Sequence, residues 1–255
     1  MSNRTPTAMN QNASAYAYTV EPFTEDCFGH LSWGRLGNLI LRCASMHAGL
    51  HGFGFEDMKQ MGHAWVLSRL AIEMERPLPT GARFEIETWV DRIYRQFTDR
   101  HFTVRLANGT VCGHATSTWS LIDFQSRQPA DLTQLANGGF THTLIPERPA
   151  PIAPVGRIRL VHASHTATHR AAYTDLDINC HFNSIRYLEL LLDQFSTPHL
   201  QAHHVRRIEM AYSLEAYVDD ELEIWRDDDP KNPLRTLFEI RKQGKDVVVK
   251  GSVET

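Results

Sequence analysis

Asp175-Leu176-Asp177-Ile178-Asn179-Cys180-His181-Phe182-Asn183 sets a carboxylate, a neutral amide and an imidazole at alternate positions, directly ahead of a helical pattern. From Asn183 to Phe195 the apolar residues Ile185, Leu188, Leu191, Leu192 and Phe195 recur at helical spacing, which marks one buried face. In an extended segment the two-residue spacing puts Asp177, Asn179 and His181 on one side. A carboxylate can orient an imidazole or act as a base, and the imidazole can move protons near neutral pH. The amide can hold a water or donate to an oxyanion. Free N–H groups at the helix start, with the positive dipole end, suit the oxygen of a polarised carbonyl. The alternative is a capping turn, because Asp, Asn and Ser are common N-cap residues.

Outward from this stretch, Ser164 to Tyr173 reads as a strand before it. Ile208 to Glu215 reads as a strand after the helix, with Ile208, Met210, Tyr212 and Leu214 on one face and Glu209, Ala211, Ser213 and Glu215 on the other. Glu221 to Trp225, Thr236 to Arg241 and Val247 to Val253 supply further strands. The earlier part of the chain has the same order. Ala15 to Phe23 is a strand, and Leu31 to about Leu50 is a helix with Trp33, Leu36, Leu39, Ile40, Cys43 and Met46 in its stripe. Gly49, Gly52 and Gly54 end that helix. Strands follow at Arg83 to Val90, His101 to Leu106 and Val111 to Phe124, the last two joined by the Asn108-Gly109 turn. Between the halves, Ile145 to Gly156 carries Pro146, Pro149, Pro151 and Pro154, which excludes a helix or sheet interior and predicts an extended linker.

A local echo supports duplication. Phe23-Thr24-Glu25-Asp26 parallels Tyr173-Thr174-Asp175-Leu176, and His30 falls near His181 if one gap is allowed. The first copy has Cys27, Phe28 and Gly29 where the second has its polar series. Two similar folds with one site are therefore expected.

The whole chain bounds the function. Its 255 residues suffice for one large domain or two small ones, and 42% hydrophobic with 22% charged residues is an ordinary globular composition. A net charge of −4 argues against a general nucleic-acid binder. Cys27, Cys43, Cys112 and Cys180 are scattered without a C-x-x-C pair, and read as free thiols in a reducing compartment. Met1 to Ala15 lacks the apolar core of a signal peptide, and no apolar run approaches the ~20 residues of a membrane helix. A cytoplasmic enzyme without a membrane span is expected. His162, His165 and His169 do not share a strand face and have no completing ligand, so no metal site is expected.

The motif fills every fixed position of Asp-Leu-Asp-x-Asn-x-His-x-Asn, and in this the chain resembles the acyl-ACP thioesterase family of plants and bacteria. Tyr187, Trp65-Val66, Thr88-Trp89-Val90 and Ala115-Thr116-Ser117-Thr118-Trp119, with Arg127 downstream, are similar to its recurring segments. The resemblance covers roughly residues 15 to 255. It implies an α+β double hotdog, two tandem sheets each wrapped around a long helix. The chain would divide into a tail at 1–14, an acyl-binding hotdog at 15–144, the linker at 145–156 and a catalytic hotdog at 157–255. It also implies a cofactor-free thioester hydrolase of fatty acid biosynthesis. Its partner would be an acyl carrier protein bearing an acyl-phosphopantetheine.

The family uses a glutamate on the first long strand after the catalytic helix, and Glu215 lies at the matching place. Plant members have a cysteine next, whereas this chain has Ala216, which excludes a thiol nucleophile there. The resemblance assigns Asp177, Asn179, His181 and Glu215 to catalysis. Asn179 and N–H groups near Asn183 would polarise the carbonyl. His181 would transfer protons, Glu215 would orient or activate water, and Asp177 would be a nucleophile or a base. Trp65, Trp89 and Trp119 are core residues or line the acyl pocket. Arg92, Arg95, Arg100 and Arg105 are a solvated strand face or a patch for the acidic carrier. An acyl-CoA thioesterase, a non-catalytic acyl-binding module and a hydratase are the competing readings, because fold alone does not fix function. A homodimer is allowed but not required, since fused hotdogs already supply the pairing.

Overall fold

The computed structural model describes residues 12–255, so most of the expected tail at 1–14 lies outside the described residues. The first half contains β1 (Ser14–Thr19), α1 (Trp33–Leu50), α2 (Phe55–Gln60), β2 (His63–Met74), β3 (Arg83–Tyr94), β4 (Phe97–Leu106) and β5 (Val111–Asp123). The second contains β6 (Ser164–Arg170), α3 (Ser184–Leu192), α4 (Thr197–Ala202), β7 (Arg207–Tyr212), β8 (Glu221–Asp228), β9 (Arg235–Lys242) and β10 (Asp246–Glu254).

All ten strands join one antiparallel sheet in the order β1-β3-β4-β5-β2-β7-β10-β9-β8-β6. The second five repeat the order of the first five, reversed about the β2–β7 seam. Leu70 faces Met210 and Ile72 faces Ile208 across that seam, and all four are fully buried. Each half lays its long helix on the same face of the sheet, and the two apolar faces merge into one core. This is the double hotdog expected from the sequence.

Each long helix starts where a side chain satisfies its orphan donors. The Ser32 hydroxyl accepts the Arg35 N–H at 3.2 Å, and the Asn183 carbonyl accepts the Ile185 N–H at 2.8 Å. The buried stripe of α1 runs through Leu36, Leu39, Ile40, Cys43 and His47, while Met46, expected on it, is exposed. The helices approach closely because α1 offers glycines at the contact. A Cβ at Gly37 would meet the Ile185 side chain at 2.8 Å, and one at Gly34 would run into Glu189.

The opposite face of the first half is covered too. Arg148 stacks its guanidinium 3.5 Å over the Trp89 ring and donates to both Glu87 oxygens at 2.9 and 2.7 Å. Ile145 donates its N–H to the Val90 carbonyl at 2.9 Å, and the Ala153 carbonyl accepts from Arg207 at 2.6 Å. The Pro-rich stretch, expected to be extended, turns at Pro146–Glu147, where the Arg148 N–H donates to the Ile145 carbonyl at 3.1 Å, and it is docked on the sheet. That cover explains why β4 is buried from Thr98 to Val104 on both faces rather than on one.

One expected strand is shorter than its pattern, and three elements lie outside the expectations. The strand expected over Ile208 to Glu215 ends at Tyr212, so Glu215 lies on the loop that follows. The strand β2 and the short helices α2 and α4 were not anticipated.

Candidate active site

The motif does not run extended. Leu176 and Phe182 pair as an antiparallel bridge, so the chain reverses between them. The Asp177 N–H donates to the His181 carbonyl at 2.8 Å, and the Cys180 N–H donates to the Asp177 carbonyl at 3.0 Å. The Asp177 Oδ1 turns inward and accepts the N–H groups of Asn179 and His181 at 2.8 and 3.1 Å. The expected sharing of one face by Asp177, Asn179 and His181 therefore fails: short polar side chains prefer such local backbone bonds to an extended strand. Cys180 has φ 60°, in the left-handed region.

Asp175 anchors the loop from below. It is buried and accepts from His169 Nε2 at 2.8 Å, from the Ala172 N–H at 2.9 Å and from Arg186 Nε at 3.1 Å. Burial opposes its charge, but those donors outweigh it and hold the carboxyl below the ordinary aspartate range. His169, one of the three histidines weighed as metal ligands, thus serves the loop. Among the described residues no cluster of His, Cys, Asp and Glu could hold a metal, and no helix is long and apolar enough to cross a membrane.

His181 meets Glu215 across the mouth of the loop. Its Nδ1 lies 3.4 Å from Glu215 Oε1, and its ring stands edge-on to Tyr217 at 5.2 Å. Arg127 forms an ion pair with the same Oε1, and the Tyr217 hydroxyl donates to Oε2 at 2.9 Å. Lys242 Nζ donates to the Glu215 carbonyl at 2.8 Å, which fixes the backbone there. Burial raises the Glu215 carboxyl, but Tyr217, Arg127 and His181 together bring it below the ordinary glutamate range. Tyr217 was missed by the sequence reading, and Arg127 entered it only as part of a family segment. Asn183 is the N-cap of α3, and its carbonyl is occupied by the helix it starts. Asn179, two residues before His181, is exposed.

The first half holds a geometrical twin of this loop. Glu25 bridges Leu31, the Asp26 N–H donates to the His30 carbonyl at 2.6 Å, and Asp26 Oδ1 accepts from Phe28 and His30 at 2.9 and 3.0 Å. Gly29, at φ 78°, stands where Cys180 does. Asp26 therefore matches Asp177 and His30 matches His181 without the gap allowed in the sequence. Phe28 replaces Asn179. Leu31 donates to the Leu78 carbonyl as Phe182 donates to that of Ala216, which sets Pro77 opposite Glu215. The twin keeps the aspartate and histidine but lacks the amide and the glutamate.

The tryptophans separate. Trp65 and Trp119 lie on the helix side of the first sheet; Trp65 lines a small apolar void of about 10 Å³ with Phe53, Leu132 and Phe140. Trp89 is on the opposite face, beneath Arg148, and cannot line a pocket under α1. The arginine run is not one patch. Arg100 is buried against His47 Nδ1 and Thr88 Oγ1 at 3.0 and 3.2 Å, and burial lowers its pKa to about 10. Arg92 pairs with Asp99 at 2.5 Å, and Arg105 pairs with Glu85 and Glu87. Arg95 remains exposed on the β3–β4 turn.

Fold and geometry together define a double hotdog whose second half brings His181 and Glu215 together. Family models of the acyl-ACP thioesterase N-terminal and C-terminal domains match residues 12–135 and 159–253. A crystal structure of an acyl-ACP thioesterase from Bacteroides thetaiotaomicron is 39% identical, with a TM-score of 0.89 over 95% of this chain and 97% of that one. The chain belongs to the acyl-ACP thioesterase family. The 12:0-ACP thioesterase from Umbellularia californica shares the fold at 17% identity, with a TM-score of 0.82 over 95% of this chain and 93% of that one. Among curated relatives, a chloroplastic palmitoyl-acyl carrier protein thioesterase of Gossypium hirsutum is 24% identical over 72% of this chain and 46% of its own length. An oleoyl-acyl carrier protein thioesterase of Arabidopsis thaliana is 25% identical over 72% of this chain and 55% of its own length. The chain thus spans about half the length of the curated relatives it matches.

Proposed function

We propose that the protein hydrolyses the thioester of a fatty acyl-acyl carrier protein, giving free fatty acid and the carrier thiol. The observation that carries this reading is the His181–Glu215 pair, at 3.4 Å, in a loop whose first-half twin lacks the glutamate and the amide. Glu215 orients the ring through Nδ1, which leaves Nε2 to take a proton from the attacking water. The Asn179 amide donates to the thioester oxygen as charge develops on it. Asp177 builds the loop rather than attacking the substrate. Supporting this, Asp26 makes the same two backbone contacts in the twin, where no such site exists.

Residues 15–144 hold the acyl chain, with Trp65 and Trp119 near it, and residues 157–255 carry the chemistry. The carrier docks at the end of the sheet that presents Arg95 on the β3–β4 turn and Arg92 near the end of β3, the same end as the turn after β5 that bears Arg127. No cofactor is required, because water is the only second reactant. The four free thiols fit a reducing, cytoplasmic setting.

Free-acid release from a panel of acyl-carrier thioesters tests the proposal. His181→Ala should lower kcat by about 100-fold or more. A kcat/KM that favours the CoA thioester more than about tenfold, a difference of about 1.4 kcal/mol, would move the substrate to acyl-CoA. Tight acyl binding with no acid released by the wild type would leave a binding module instead.

A further inference from the structure

Arg127 does not belong to the half of the chain that carries the motif. It sits on the turn after β5, and its partner Glu215 is 88 residues further along the chain. The turn is built by Asp123, whose Oδ1 accepts the Ser126 N–H and hydroxyl, both at 2.8 Å, and the Gln125 N–H at 3.2 Å. Its backbone closes through Arg127 N–H to the Asp123 carbonyl at 3.0 Å and Asp123 N–H to the Gln128 carbonyl at 2.8 Å. Arg127 has φ 59°, a left-handed conformation in which glycine would be unstrained. A long charged side chain thus occupies a position where the backbone favours none, and its guanidinium ends on the carboxylate that touches His181. Strain of this kind, held by an otherwise complete turn, points to function.

We propose that Arg127 is a positioning residue of the hydrolytic site, supplied by the first half and acting on His181 through Glu215. The inference rests on the hydrolase reading above. The guanidinium has two effects. It fixes the Glu215 oxygen that orients His181 Nδ1, and it offsets the negative charge that would otherwise favour the imidazolium. Glu215 and Tyr217 on the β7–β8 loop face the ring, Asp177 holds the His181 N–H, Cys180 is its chain neighbour, and Arg127 and Lys242 reach it through Glu215. Asp220 lies 3.8 Å from Lys242. Arg127 is the cation paired with the carboxylate that faces the ring, and removing it leaves that carboxylate without its guanidinium partner. The Glu215 charge facing the ring is then no longer offset, which favours the protonated ring over the neutral base.

The test uses the full chain with Arg127→Gln, Arg127→Lys and Arg127→Gly, read as kcat and KM against pH on an acyl-carrier thioester and as thermal melting. Arg127→Gln should lower kcat about 10- to 100-fold with KM changed less than about twofold. Its acid limb should move to higher pH by roughly half a unit or more. Arg127→Lys should recover most of the rate and return the limb. Arg127→Gly should lose rate as the glutamine variant does while melting no lower than the wild type, because the turn is relieved. An unmoved acid limb in Arg127→Gln, or a glycine variant that loses melting temperature and rate together, would overturn the proposal. If the wild type releases no acid, the hydrolase reading fails by itself. The Arg127–His181 coupling is then read separately, from the His181 titration by NMR in the wild type and Arg127→Gln.

Discussion

Cys180 carries backbone strain that its twin avoids. Gly29 adopts φ 78° at no steric cost, whereas Cys180 holds φ 60° with a Cβ. Its thiol is exposed, and no part of the proposed chemistry uses it. Replacing Cys180 with glycine relieves the left-handed strain and adds some freedom to the unfolded chain, so the two effects partly offset. The net expectation is a gain of about 0.5–1 kcal/mol in urea unfolding, with free-acid release within about threefold of wild type. A loss of activity to the level of His181→Ala would instead make the thiol part of the chemistry. The residue types of the site were legible in the sequence, but their directions were not. Alternation suggested an extended segment, yet Asp177 bonds the N–H groups two and four residues ahead and folds the loop back on itself. A signal was present in the twin: Gly29 in the matching place marks a left-handed position. Glu215 could be found by its place after β7, whereas Arg127 depends on a contact between distant segments that no local pattern records.

At the scale of elements, the helix crossing decides how the two hotdogs share one core. Gly37 and Gly34 bring α1 against α3, and Gly251 on β10 leaves room for Leu191 beneath it. A side chain at Gly37 must push on Ile185, which is branched at Cβ and buried at 1% exposure. Gly37→Leu should therefore cost about 1–3 kcal/mol as an overpacked contact, measured as a lower urea midpoint with unchanged slope. Gly49→Ala is the comparison, since a Cβ there meets nothing within 4 Å, and it should not lose stability. Equal losses at both positions would remove the packing explanation. The half-buried strands were legible because apolar and polar residues alternate in them. The strand β2 was not, because it sits at the seam and carries a bulge between Leu67 and Arg69. Leu70, Ala71 and Ile72 are all fully buried in succession, so no alternation survives. Helices of six residues, α2 and α4, are too short to show a period.

For the whole molecule, the duplication was visible in the repeated order of elements, but the fastening of the halves was not. That fastening is polar and lies on the face away from the helices. Glu209 on β7 is buried and accepts from Arg207 at 2.9 and 3.1 Å, from Ser252 at 3.0 Å and from Arg235. Arg207 also reaches Glu73 on β2 at 2.7 Å and the linker at Ala153, so one cluster ties both halves and the connection between them. Burial alone would raise the Glu209 carboxyl, yet Arg207, Arg235 and Ser252 hold it below the ordinary glutamate range. A depressed carboxyl stabilises the fold fully above its unfolded pKa, about 4.3, and loses that contribution as pH falls through the folded value. Glu209→Ala removes the acceptor shared by Arg207 and Arg235, which keep Glu73 and Asp229 as partners, so it should cost about 1–3 kcal/mol at pH 7. Below about pH 4 the wild-type carboxyl protonates and the gap between wild type and variant should narrow. Urea unfolding of both proteins from pH 7 to pH 3 measures this, and a gap that stays constant across that range would show that Glu209 acts by shape rather than by charge.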